Sequence, residues 1–399
     1  MPRVTILQIG AMILISIVIS AYMTQQRTLI AALHEIAVSE SSIIDAPKYD
    51  QSKKYSDKVE PQRARTRQII SCQSQQKTFH FPAAPEFIII GAQKAGTSAL
   101  ADFLGSHPQM EGPSTGLNRK YEAHFLDWMV PTEILRQKLV KDEGFANEDE
   151  LFCKYQSEYS SMWNATKLLN FPKKVSYEKT PSYLFLAYQI PDILPRVCPW
   201  NPKLLAILRN PIDRAWSQFN MDKKLQSKFI GRDDTFEDIL NREIAALRKF
   251  GLSKAPPLKN NATIHRDDPH FQLPPLTQQQ IDTAHKKVFR EVFLSNYLQR
   301  GMYAIQLTRW KQAFGNNLMI VNYDDLFGPS AQQHFNSILR FVGVDEWALP
   351  KGFDQHWSRQ KYSVTISSST RTYLEAFFQP YNSQLSTILG ESWNGVWSL

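Results

Sequence analysis

The sequence predicts an α/β fold built on a central, mostly parallel sheet flanked by helices. Three observations predict it. Short apolar runs at 86–90 (EFIII), 203–208 (KLLAIL) and 318–322 (LMIVN) have the length and residue types of buried strands. The first is followed by a glycine-rich turn and then by apolar residues at helical spacing; a helix is expected to follow the second from Pro211. Strand and helix therefore alternate, the order that gives parallel pairing.

In chain order, residues 4–23 (VTILQIGAMILISIVISAYM) come first and carry no charge. About 20 such residues cross a hydrocarbon core of about 30 Å. The run is long for a signal-peptide core and no small-x-small cleavage site follows, so 1–23 reads as a cytoplasmic tip and transmembrane signal anchor. A cleaved signal peptide is the alternative. Residues 24–84 read as a stem or linker; 36–77 are polar, include Arg63, Arg65 and Arg67, and cannot bury enough apolar area to fold alone. The globular part spans 85–399. Its strand at 86–90 runs into Gly91-Ala-Gln-Lys-Ala-Gly-Thr-Ser98 and then a helix with Leu100, Phe103 and Leu104 on one face. A strand at 175–179 ends at Pro181. Residues from about 226 to 290, rich in Lys, Arg, Pro and His, interrupt the alternation as a basic insertion with a helical piece and a long loop. Leu374, Phe377, Phe378, Tyr381, Leu385, Ile388 and Leu389 close the chain as an amphipathic helical stripe, read as core.

The formal net charge is +8, with 43% hydrophobic and 21% charged residues over 399 positions. That is enough apolar content for one large core or two modest ones. The basic surplus suits an anionic partner without choosing one. No nucleic-acid motif accompanies it, so no nucleic-acid partner is expected. Cys72, Cys153 and Cys198 form no CxxC pair, which argues against a zinc site of the usual spacing. Cys153–Cys198 is one candidate disulfide, with Cys72 left for a pairing between chains; three free thiols is the equal alternative. Sequons at Asn164 and Asn261, together with the anchor, favour a lumenal catalytic domain.

Two motifs carry chemistry. In the loop 91–98, glycines let the backbone turn tightly around a phosphate, and the following helix offers unpaired N–H groups and its positive dipole end. Gly91 and Gly96 have Walker A spacing, yet Thr97 stands where that loop requires lysine, and Lys94 lies inside it. This argues against a P-loop kinase or NTPase while keeping a P-loop-like nucleotide site. The second motif, Leu208-Arg-Asn-Pro-Ile-Asp-Arg-Ala-Trp-Ser217, starts where the strand at 203–208 ends, and ligands of open α/β sheets bind outside carboxyl ends of strands. Arg209 there can grip a phosphate in two-pronged fashion, and Ser217 lies about two helical turns on.

Together these motifs resemble the 5′-phosphosulfate loop and 3′-phosphate site of sulfotransferases that use 3′-phosphoadenosine 5′-phosphosulfate (PAPS). Tyr121-Glu-Ala-His-Phe-Leu-Asp-Trp128 looks like the segment carrying the catalytic glutamate of the heparan sulfate sulfotransferases, and Tyr177-Glu-Lys-Thr-Pro-Ser-Tyr183 is similar to their Glu-Lys-Thr-Pro segment. The resemblance covers about 85 to 395. It implies PAPS as co-substrate, no metal, and transfer of a sulfuryl group to a hydroxyl, or an amine, of a carbohydrate, with an anionic polysaccharide the expected acceptor. Carried over by residue, Lys94, Ala95, Gly96, Thr97 and Ser98 would hold the 5′-phosphosulfate, and Arg209 and Ser217 the 3′-phosphate. Glu122 would be the general base, with His124 as its understudy, and Lys179 would lie on the active-site floor. Arg359-Gln-Lys-Tyr-Ser stands where those enzymes often carry a cysteine-bracketed loop and Lys-Gly-Arg; Lys361 would take that lysine's part. Family precedent further implies a Golgi membrane protein, single-pass type II, with the catalytic domain lumenal. The competing readings are the kinase or NTPase and a non-catalytic lumenal glycan-binding protein with a sulfotransferase-like fold.

Overall fold

Two sheets of different character organise the molecule. In this computed structural model the described residues are 67–397, apart from 76, 115–120, 131–132, 228, 259–267, 293–294, 351–364 and the side chains of 133–135. The expected anchor at 4–23, the stem up to residue 66, the Asn261 sequon and Lys361 lie outside the described residues. Among the described residues, no helix is long and apolar enough to cross a membrane.

The first sheet is an antiparallel hairpin of β1 (Ile69–Ser74) and β2 (Lys77–Pro82). It falls within the stretch expected to be linker. Most of its residues are exposed or half-buried, and a Cys72–Cys153 disulfide ties β1 to the helix Glu148–Ser160. The expected Cys153–Cys198 pairing is corrected accordingly; Cys198 is a free, buried thiol. Arg67 adds a second tie, with Nη1 donating to Glu86 at 2.6 Å.

The second sheet holds β3 (Phe87–Gly91), β4 (Met110–Glu111), β5 (Val175–Lys179), β6 (Lys203–Leu208) and β7 (Leu318–Asn322), in spatial order β4-β5-β3-β6-β7. Every pairing is parallel. All residues of β3 and β5, and all but Lys203 of β6, are buried, as a parallel sheet covered by helices on both faces demands. The chain runs from the central β3 to one side and later crosses to β6 on the other, so β3 marks a switch point, the place where ligands of open α/β sheets bind.

The helices used below are α1 (Thr97–Ser106), α2 (Glu148–Ser160), α3 (Pro211–Lys224), α4 (Phe236–Lys249), α5 (Gln278–Val292), α6 (Tyr303–Phe314), α7 (Tyr323–Leu326), α8 (Ala331–Val342) and α9 (Ser368–Ser383). The apolar faces of α1, α2, α6 and α8 pack on the sheet in one core. The basic insertion builds a core of its own. Phe236, Ile239, Leu240, Ile244 and Leu247 of α4 meet Val288 of α5 and Tyr373, Phe377, Phe378 and Tyr381 of α9. The expected C-terminal stripe is thus core from Leu374 to Leu385, with Ile388 and Leu389 partly buried. Asn164 is exposed and caps a short helix, its Oδ1 accepting from Lys167 N at 2.8 Å.

Candidate active site

The carboxyl ends of β3, β5 and β6 converge: Ile89 is level with Lys179 on one side and Leu205 on the other. Just beyond β3 the loop turns through left-handed residues, Lys94 at φ 68° and Gly96 at φ 81°. Gly96 is required twice over. Its backbone angle disfavours a side chain, and a Cβ there would lie 2.4 Å from the Phe327 ring. Gly96 caps α1 without any side-chain bond to the first-turn amides, so those N–H groups are left for an anion. Ala95 N is used within the loop, donating to Ala92 O at 3.1 Å.

Arg209 follows β6 directly. Its Nη1 donates to the Lys94 carbonyl at 3.1 Å, and the guanidinium lies over the Tyr323 ring at 4.9 Å. Its own carbonyl accepts from the Tyr303 hydroxyl at 2.9 Å. Arg214, fully buried one turn into α3, donates to Gln218 at 3.0 Å and to Tyr297 O at 2.6 Å. It fixes the helix that carries Ser217, which is buried. Lys94 reaches toward Met221 Sδ at 3.5 Å. Burial, then Arg209, draw its ammonium below the usual lysine range, with Asp222 opposing. Among the described residues neither Lys94 nor Arg209 is in an ion pair with a carboxylate.

The segment beginning at Tyr121 is laced onto the end of β5. Lys179 N donates to Tyr121 O at 2.9 Å, and His124 N to Thr180 Oγ1 at 3.2 Å. Glu178 is fully buried and takes donors from Ala123 N at 3.2 Å, Thr180 Oγ1 at 2.6 Å and the Tyr159 hydroxyl. Burial pushes its carboxyl up, with those donors opposing.

On this frame a hydrogen-bonded chain assembles. Lys179 Nζ donates to Ser98 Oγ at 3.1 Å and to Glu122 Oε1 at 2.7 Å. Glu122 Oε2 meets His124 Nε2 at 3.0 Å, His124 Nδ1 meets Asp127 Oδ2 at 3.0 Å, and Ser182 Oγ donates to the same Asp127 oxygen at 2.5 Å. An imidazole with a carboxylate at each nitrogen is best satisfied as a cation. Burial alone would lower the His124 pKa, but Asp127 and Glu122 outweigh it and raise the pKa to about 9. Burial would raise the Glu122 pKa, yet His124 and Lys179 hold it down to about 2. Glu122 is therefore a carboxylate pinned between two cations.

Of the residues singled out in the sequence, Ser98, Lys179, Glu122 and His124 meet in this chain, and Lys94 and Arg209 meet at the loop. Asp127, Ser182 and Glu178 were missed. All three lie in segments already chosen, 121–128 and 177–183, and Asp127 carried the added signal of standing three residues after His124. The basic insertion is less available than its composition suggests. Arg242 pairs with Asp234, Lys249 with Glu291 at 2.8 Å, and Lys223 donates to backbone carbonyls.

Residues 84–394 match the sulfotransferase domain family. The chain is 30% identical over 138 residues to heparan sulfate glucosamine 3-O-sulfotransferase 5 of Mus musculus, covering 34% of this chain and 30% of that one. It is 28% identical over 163 residues to the membrane-associated sulfotransferase kil1 of Dictyostelium discoideum, covering 40% and 28%. The matched stretch is thus under a third of the length of these relatives. Among solved structures, a sulfotransferase from Alicyclobacillus acidocaldarius aligns over 78% of this chain and 99% of its own at 20% identity, with a TM-score of 0.48.

Proposed function

The chain belongs to the sulfotransferase domain family, and from that premise we propose that it transfers a sulfuryl group from PAPS to a carbohydrate hydroxyl. The observation that carries the reading is the chain Ser98–Lys179–Glu122–His124, which links the head of α1 to an ionised carboxylate. The residues present fit the donor. The uncapped first turn of α1 and Lys94 suit a 5′-phosphosulfate, and Arg209 with Ser217 a 3′-phosphate.

In this reading Glu122 accepts the proton of the acceptor hydroxyl as its oxygen attacks sulfur in line. One S–O bond forms, and the S–O bond to the bridging phosphate oxygen breaks with its electron pair on that oxygen. Lys94 and the first-turn amides of α1 meet the charge developing there. Lys179 stands between the two sides. As it turns from Glu122 toward the transferring group, Glu122 loses a restraining cation and becomes more basic. His124, held by Asp127, keeps the carboxylate aimed.

The acceptor class rests on the relatives' heparan sulfate and on the basic surplus; a polysaccharide or glycan is proposed, and its sugar position is left open. A signal anchor at 4–23, a stem, a lumenal Golgi address and a glycan on Asn164 belong to the same proposal. Calorimetry with 3′-phosphoadenosine 5′-phosphate (PAP), without magnesium, tests the donor assignment. Metal-free binding that Arg209→Ala weakens, with ATP weak, is expected. No binding, or ATP binding that requires magnesium, returns the chain to a phosphate-binding α/β protein of other chemistry.

A further inference from the structure

Beside the hydrogen-bonded chain lies a feature the mechanism does not use. Residues Phe125–Met129 form one wide π-helical turn, entered through His124 in the left-handed region at φ 49°. That backbone angle is uncommon for a residue with a side chain and is worth a local reason. The turn splits its apolar residues sharply. Phe125 and Leu126 are buried in the core, whereas Trp128 is 43% and Met129 57% exposed. The Trp128 indole lies flat on the His124 imidazole, with ring centroids 3.8 Å apart and planes 7° from parallel. One face of the indole is covered by a cation, a favourable contact in itself. With one face stacked on His124, Trp128 is still 43% exposed, which leaves its other face as the one for a ligand. What sets Trp128 apart from an ordinary exposed side chain is its place: it is held flat by the His124 imidazole, which itself bonds Glu122 at 3.0 Å, so its ring stands one residue from the carboxylate.

We infer that the open face of Trp128 is a stacking platform for a sugar ring of the acceptor, namely the neighbour of the sugar that receives the sulfuryl group. This rests on the sulfotransferase reading of the site. The neighbour is specified by spacing. His124 bonds Glu122 directly at 3.0 Å, and a ring on the far face of the indole lies a further stack beyond the 3.8 Å between the two rings. That is too far for its hydroxyls to reach Glu122. It suits the next unit of a chain whose reacting sugar sits at the carboxylate. Pyranose rings present C–H faces to aromatic planes, and two or more linked units are needed to use both places at once. The acceptor class is therefore an oligosaccharide or polysaccharide rather than a monosaccharide or a small phenol.

The test uses the full chain and initial rates of transfer from radiolabelled PAPS to a size ladder of heparosan and chondroitin fragments, from monosaccharide glycoside to hexasaccharide. Wild type, Trp128→Ala and Trp128→Phe are compared, with PAP calorimetry and thermal midpoint as controls. In wild type, KM is expected to fall about tenfold or more between one unit and two, the size of a good aromatic contact. Trp128→Ala should erase that length advantage with kcat within about twofold and PAP affinity unchanged, and Trp128→Phe should retain most of it. A Trp128→Ala enzyme that keeps the ladder overturns the platform. So does one that loses kcat and shifts its pH profile, because Trp128 then acts only through His124. Wild-type PAP binding with no ladder member sulfated, or with no dependence on length, also overturns it while leaving the donor assignment intact. Absence of PAP binding by wild type is the separate failure of the sulfotransferase reading itself.

Discussion

The two halves of the candidate site are held by different physics. The loop and Arg209 are positioned by backbone: left-handed turns, a carbonyl for the guanidinium, an aromatic ring beneath it, and helix amides without a side-chain cap. Among the described residues its cations have no carboxylate in an ion pair. The Glu122 half is the reverse, a run of side chains in which cations and carboxylates alternate from Lys179 to Asp127. The first half is arranged to receive charge, and the second is balanced within itself. A transfer reaction needs both, since one side must bind a polyanion and the other must hold a base ready without neutralising it.

Substitutions can sharpen or break this contrast. After the carboxylate itself, the largest effect is expected at Lys179, which touches both halves. Lys179→Ala should lower kcat/KM by about 10³-fold and weaken PAP binding as well, as rates and calorimetry would report. A loss confined to one of the two would place it in a single half. Next is Arg209→Ala, expected to weaken PAP binding by about 10- to 100-fold, the scale of a charge-assisted contact, with the Glu122 half intact. An unchanged affinity would remove Arg209 from the donor side.

His124 gives a subtler break. Its raised pKa predicts an alkaline fall in kcat/KM of wild type near pH 9, which His124→Asn should remove along with part of the rate. The stability sign agrees. A folded pKa above the unfolded value stabilises fully below the unfolded pKa of about 6.5 and is lost as pH rises through about 9. Glu122, with a depressed pKa, stabilises above its unfolded value of about 4.5 and loses that as pH falls through about 2. A flat wild-type profile through pH 9 would deny the imidazolium. The smallest effect is expected at Gly96→Ala, which meets the Phe327 ring and a positive φ; about 1–2 kcal/mol of stability should be lost, read from a denaturation midpoint.

The loop and the strand end that carries Arg209 were legible in the sequence because each is a contiguous stretch. An apolar run, glycines at fixed spacing and a helix define the loop, and a strand end presents Arg209. Three of the strands were likewise legible as apolar runs, and β5 from its position before Pro181. The Glu122 half is assembled from segments some 55 residues apart, such as Asp127 with Ser182, so the residues Asp127, Ser182 and Glu178 had no shared local pattern. Glu122 itself came from resemblance, not from spacing. The hairpin β1–β2 was hidden for a similar reason. Its stability depends on a disulfide partner 81 residues away and on docking to α2, neither of which shows in a polar stretch. In the insertion, charged residues masked the stripe Phe236, Leu240, Ile244 and Leu247, which becomes visible only once α5 and α9 supply its other side.

The most direct test of the central claim is transfer of radiolabelled sulfuryl from PAPS to a panel of glycans, with Glu122→Gln as its partner. The account predicts label in a glycan with wild type, and a loss of about 10²–10⁴-fold in kcat with Glu122→Gln at undiminished PAP affinity. Transfer by Glu122→Gln at the wild-type rate, or no glycan labelled by a wild-type chain that binds PAP, would contradict it.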